Sequence, residues 1–228
     1  MAESTKLHVY EEVLLLAISD HKGTFDTGVP EYAVAGAVLS ELMAEGRLAL
    51  SDPKKQMVET RDGRAIGDEI LDETLGRIGA GKRRASLQTW ITRIAGARRL
   101  RHRAAIQLCR RGILRADEDQ VLHFFRRKVY PELDPRPERE LREWLRAVVD
   151  ADSDLVDART AAVISILKAV GLLDKALGKD LAKRRKERIA KIVSGEVTAA
   201  ATKAVLDAVQ TAVFVAAIVP AIAASTSD

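Results

Sequence analysis

A chain of 228 residues with 47% hydrophobic and 31% charged side chains has the composition of a globular protein and excludes an intrinsically disordered one. Only 4% of the residues are aromatic, so aliphatic side chains must fill the core. The formal charge is only +4, and a single cysteine, Cys109, excludes an internal disulfide and points to a reducing compartment.

The first residues, Met1 to Lys6, are polar and carry no apolar signal core. Glu11 to Ile18 then reads as a helix buried nearly all round. A loop at Asp20 to Gly23 follows, and Pro30 starts a second helix. Val34, Val38, Leu39, Leu42 and Met43 recur along it at helical spacing, and Gly46 ends it. Arg47 to Ser51 alternates like a short strand, with Met57 to Arg61 as its antiparallel partner. Helices are expected at Gly67 to Gly76, Leu87 to Ala95 and Ala97 to Arg111, the last closed by Gly112. Ile113 to Phe125 and Arg126 to Tyr130 form an extended pair. Beyond three prolines, helices are predicted at Glu138 to Val149, Leu155 to Leu177, Leu181 to Val193 and Glu196 to about Val219. The fold class is therefore mainly α: a compact single-domain helical bundle with a protruding β-hairpin. A tail at 1–6 precedes a domain at 7–225. The longest uncharged apolar run, Ala212 to Ala224, is broken by Pro220 and is shorter than the roughly 20 residues of a spanning helix, so membrane contact is expected from the side.

Charge is distributed unevenly. Lys82 to Arg115 holds eleven basic residues and no Asp or Glu, which leaves 26 basic against 33 acidic residues elsewhere. Such asymmetry points to a polyanionic partner, nucleic acid or an anionic membrane. On a helical wheel Leu100, Ala104 and Leu108 share an inward face, Arg98 and Arg101 lie together, and Arg99, Arg103 and Arg110 group apart. Planar guanidinium groups suit phosphate because they bind two oxygens at once. A second cluster, Lys183 to Lys186, reads as a solvated helix face.

Motifs for catalysis are absent. The chain has no Walker A loop, HExxH, CxxC or GxSxG. His8, His21, His102 and His123 lack metal-ligand spacing, so no metal or organic cofactor is expected. Asp68, Asp72 and Glu73 read as surface acids on an amphipathic helix, and Cys109 as a packed thiol. An enzyme is not expected.

Several colinear segments resemble the Golgi phosphoprotein 3 family. They are Val9 to Leu16 with Asp20 and Gly23, Gly36 through Glu41-Leu42 to Leu48, Gly67 to Glu73, and Leu87 to Ile91 with Gly96. Arg98 to Arg103, Arg111 to Leu114, and Asp157 with Arg159 complete the set. The Ala- and Arg-rich composition suggests a bacterial member. The resemblance implies a helical domain that binds phosphatidylinositol 4-phosphate at the cytosolic face of the Golgi in eukaryotes and holds membrane-protein clients there as an adaptor. It places headgroup-binding arginines at Arg98 and Arg101, and the acid-free run of charge adds Arg99 or Arg103 as support through long-range attraction. The family's loop tryptophan is replaced by Phe25 and Asp26, and Ala35 stands where the family has a further arginine. The implied hairpin lies at about 121–135. Phe124, Phe125, Tyr130 and Leu133 would there contact a membrane or a second copy, since exposed apolar patches usually mark interfaces. The partners expected are an anionic phospholipid, a membrane-protein client and another protomer. An alternative reading is a nucleic-acid-binding winged helix, with Arg126, Arg127 and Lys128 in the wing.

Overall fold

A computed structural model describes residues 6–18, 22–25, 31–51, 54–81, 83–121, 125–152 and 155–197. Among the described residues the protein is mainly helical, with two small antiparallel hairpins. Helix α1 (Val9–Ala17) lies at the centre. Its Val9, Tyr10 and Val13 to Leu16 are all buried, as a run without polar spacing requires. It packs on α2 (Glu31–Ala44), on α5 (Leu100–Arg110) and on α7 (Ala158–Ala169). A short hairpin, β1 (Leu48–Leu50) with β2 (Val58–Thr60), follows α2. Helices α3 (Glu69–Gly79) and α4 (Leu87–Ala95) start at side-chain caps, Asp68 and Ser86.

The inward stripe predicted for α5 is present: Leu100, Ala104 and Leu108 are all buried. The start of that helix differs from expectation. Arg98 lies in a turn, and Arg99 is the N-cap with left-handed backbone (φ 57, ψ 37), so regular helix begins only at Leu100. The Leu100 N–H reaches back to the Ala97 carbonyl at 3.3 Å, closing the turn. The i, i+3 helical pairing of Arg98 with Arg101 therefore does not hold.

The larger hairpin pairs β3 (Asp117–Val121) with β4 (Phe125–Val129), from Asp117 opposite Val129 to Val121 opposite Phe125. It starts and ends earlier than the expected 121–135, because Tyr130 and Pro131 turn inward. Tyr130 donates its N–H to the Gly23 carbonyl at 2.6 Å, and Gly23 (φ 59) lies flat on this backbone. A Cβ there would come within 2.3 Å of the Pro131 nitrogen.

Helix α6 (Arg136–Asp150) matches its prediction to within two residues at its start. The predicted Leu155 to Leu177 helix is two: α7 stops at Ala169, Gly171 takes φ 72, and α8 (Leu173–Leu177) follows. The predicted Leu181 to Val193 helix is likewise split at Arg185 into α9 (Lys179–Arg184) and α10 (Lys186–Ser194). The helix expected from Glu196 falls almost wholly outside the described residues. Among the described residues no helix is long and apolar enough to cross a membrane.

Candidate anion-binding site

The N-terminal end of α5 gathers the cations. The first N–H groups of any helix lack intrahelical acceptors, and the aligned peptide dipoles place partial positive charge there. No acidic residue occupies the first turn of α5, and the Arg99 side chain makes no capping bond. Arg98 and Arg99 are exposed, with no carboxylate partner among the described residues. Arg101 is half-buried, and its guanidinium lies 5.3 Å from the centre of the Phe25 ring. Phe25 itself is held by an isolated antiparallel bridge to Ile18 at the end of α1.

Two further side chains complete the cluster. The Phe25 ring meets His102 edge-on at 5.5 Å and Tyr130 at 5.6 Å, and His102 Nδ1 lies 2.9 Å from the Tyr130 hydroxyl. Burial holds the His102 imidazole below its usual range, and the positive charges of Arg101, Lys128 and Arg99 lower it further, against a smaller opposing effect of Glu31. Lys128, exposed on β4, thus adds a cation from the hairpin. This concentration of positive potential at a helix start can accept a phosphate group. A model of the family described as Golgi phosphoprotein 3 (GPP34) matches residues 9–212. The chain belongs to the Golgi phosphoprotein 3 family. It is also similar to vacuolar protein sorting-associated protein 74 of Eremothecium gossypii, with 29% identity over 132 residues, covering 49% of this chain and 40% of that relative.

Of the residues expected to bind a headgroup, the structure brings Arg101 and Phe25 into contact and sets Arg98 and Arg99 on the preceding turn. Arg103 stands apart. It pairs with Glu73 and with Glu69, and Arg110 also reaches Glu69, at 2.8 Å. The stretch without acids in sequence is therefore opposed by acids in space: Glu59 on Arg84, Glu31 on Arg101, Glu11 on Arg111 and Asp117 on Arg115. Ala35, at the position of the family's further arginine, is 0% exposed inside α2.

Of the hairpin residues, Phe124 lies outside the described residues and Phe125 pairs with Val121 in the ladder. Tyr130 is 1% exposed and packs against Phe25 and His102, so it does not lie on an outer surface. Leu133 is 61% exposed, just beyond the ladder. Asp68, expected on the surface, is 8% exposed. It caps α3 by accepting from the Ile70 and Leu71 N–H groups and also accepts from the Tyr10 hydroxyl at 2.6 Å. His102 has no site role in the sequence reading and Tyr130 has one only on the hairpin, because nothing in their local sequence joins positions 28 residues apart.

A buried charge network braces the opposite end of α1. Glu41, 1% exposed, accepts from the Val9 N–H at 2.8 Å and from Arg159 Nε at 3.2 Å, with His8 Nδ1 at 3.3 Å. Burial alone would raise its carboxyl, but His8, Arg159 and the Val9 N–H together hold it below the usual range. Among the described residues no group of three or more His, Cys, Asp and Glu is placed to hold a metal ion.

Proposed function

We propose that this protein binds a monophosphorylated inositol headgroup, of the phosphatidylinositol 4-phosphate kind, as a peripheral membrane protein. The observation that carries the reading is the state of Arg98 and Arg99. They are exposed at an open helix start with no carboxylate partner among the described residues, while most neighbouring arginines are paired. Arg98 and Arg99 grip the phosphate, Arg101 supports it from over Phe25, and the Phe25 ring lies beside the sugar. Because Ala35 replaces a family arginine, the site is weaker or less selective than its eukaryotic counterparts.

Membership of the family supports an adaptor role that works by binding and not by catalysis, holding a membrane protein at a surface. The β3–β4 hairpin, with Leu133 beside it, is the surface proposed to touch the membrane or a second copy. A winged-helix reading is less favoured. The wing's first strand opens Asp117-Glu118-Asp119, and Asp119 pairs with Arg127 at 2.7 Å, so acids stand where phosphate contacts belong.

Vesicle flotation with phosphatidylinositol and its 4-phosphate, beside duplex DNA, tests the reading. Arg98→Glu with Arg99→Glu should abolish the preference for the 4-phosphate and leave Tm nearly unchanged, since exposed charges contribute little to folding. Binding like that of the unaltered protein would refute it.

A further inference from the structure

A second basic feature lies away from α5. Between the end of α7 and helices α8 to α10 runs a groove of about 370 Å³, lined by Lys168, Lys179, Lys183 and Lys186. All four lysines are exposed, and none has a hydrogen-bond or ion-pair partner among the described residues. One acid, Asp174, lines the same groove. The floor is aliphatic: Leu173 and Ile189 are buried there and Ala182 is half-buried.

The sequence Lys183-Arg184-Arg185-Lys186 divides in space. Arg185 turns away and bonds Asp150 at 3.0 Å and Asp152 at 2.9 Å, and Arg184 lies 3.9 Å from Asp150. The two flanking lysines line the groove with no such partner. Lys179, Lys183 and Lys186 stand on the α9–α10 side at near-helical spacing, and Lys168 faces them from α7. Four like charges left together around an apolar floor attract an anion that also has an apolar part.

We propose that this groove is a second membrane contact, which takes the headgroups of anionic phospholipids without distinguishing among them. The groove's own residues carry this proposal, independently of the inositol-lipid reading. Lysine ammonium groups act as flexible point charges, whereas a selective phosphate site calls for the planar fork of arginine. The lysine stems can lie along Leu173 and Ile189 while their heads reach lipid phosphates. No aromatic residue, arginine, asparagine or glutamine lines the groove to stack on or read bases, so nucleic acid fits it poorly. Helix α8 joins the two sites. It supplies Leu173 to the groove floor, and its Lys175 Nζ donates to the Ile18 carbonyl at 3.3 Å, on the residue that bridges to Phe25.

The test is flotation with phosphatidylcholine vesicles, with and without phosphatidylglycerol. Lys179→Gln with Lys183→Gln and Lys186→Gln should lower binding to the phosphatidylglycerol vesicles about 100-fold, with unaltered Tm, and binding should fall steeply with salt. The same three positions changed to Arg should retain it. Binding of a soluble inositol phosphate should be unchanged in the Gln variant and lost in the Arg98→Glu, Arg99→Glu variant, which separates the two sites. Undiminished phosphatidylglycerol binding by the Gln variant overturns the proposal. An equal loss from Lys54→Gln, Lys55→Gln and Arg83→Gln also overturns it, by showing diffuse attraction. Loss of duplex DNA binding with vesicle binding intact would assign the groove to nucleic acid instead.

Discussion

Arg101 donates its Nε to Glu31 Oε1 at 2.7 Å, across 70 positions of sequence, while the same guanidinium lies over the Phe25 ring. The carboxylate at the start of α2 thus fixes the orientation of one proposed phosphate ligand and also competes with phosphate for it. Both partners are partly exposed, with side-chain exposures of 29% and 40%, so water weakens the pair and an incoming anion can displace it. Glu31→Gln removes the competing charge and keeps the side chain's shape. It should tighten binding of a soluble inositol phosphate about 3- to 10-fold, read by calorimetry, with little change in Tm. Weaker binding would show instead that Glu31 is needed to orient Arg101.

Arg99 sits in a backbone conformation that an L side chain adopts at a cost of about 1 kcal/mol, and glycine adopts freely. Strain of this kind concentrates at functional sites. Arg99→Gly should therefore raise stability by up to about 1 kcal/mol in urea unfolding while it weakens phosphate binding. Opposite signs in the two measurements would show that the arginine is kept for its charge. Loss of stability would mean that the side chain packs in a way its exposure does not suggest.

Gly23 offers a test of how the loop after α1 positions Phe25. Its carbonyl accepts from the Tyr130 N–H, and a Cβ would fall within 2.8 Å of three backbone atoms of Tyr130 and Pro131. Backbone cannot rotate away as a side chain can, and φ 59 is already unfavourable for alanine. Gly23→Ala should lose about 2 to 4 kcal/mol of stability in urea unfolding and loosen the Phe25–His102–Tyr130 cluster. A weakened Phe25→Ala variant with intact stability would separate the ring's role in binding from the loop's role in folding.

Local sequence patterns locate the helices and hairpins to within a few residues where apolar spacing is regular, as in α4 and α6. They failed where one residue redirects the chain. Gly171 splits the predicted Leu155 to Leu177 helix, and the left-handed Arg99 delays α5 by three residues. Charge counting found the basic block but not its neutralisation, because Glu69, Glu73 and Glu11 meet Arg103, Arg110 and Arg111 only through tertiary packing. The same limit hid Glu41, whose partners His8 and Arg159 lie 33 and 118 positions away. Phe25 and Arg101 were accessible through the family resemblance, and the structure puts them in contact. His102 and Tyr130 had no sequence signal to join them.

Glu12 gives the protein a pH-dependent stability of unusual sign for a carboxylate. It stands on α1 at the edge of a small cleft of about 170 Å³, with Lys6, Trp144, Asp157 and Arg159 on the other sides. Burial pushes its carboxyl up to about 7. Arg159 and Lys6 pull it down, and Glu41 and Asp157 push it further up. In the unfolded chain a glutamate titrates near about 4.3, so folding favours the protonated form. The stabilisation this gives is complete below the unfolded value and is lost progressively as pH rises from there to about 7, where the folded carboxyl ionises. Glu12→Gln mimics the protonated form at every pH. Near pH 4 the variant and the unaltered protein should differ by less than about 0.5 kcal/mol, and near pH 9 the variant should be more stable by about 3 kcal/mol. Urea unfolding at the two values reads the difference directly. A gap that stays flat between them would mean that Glu12 ionises freely, with Lys6 and Arg159 compensating its burial.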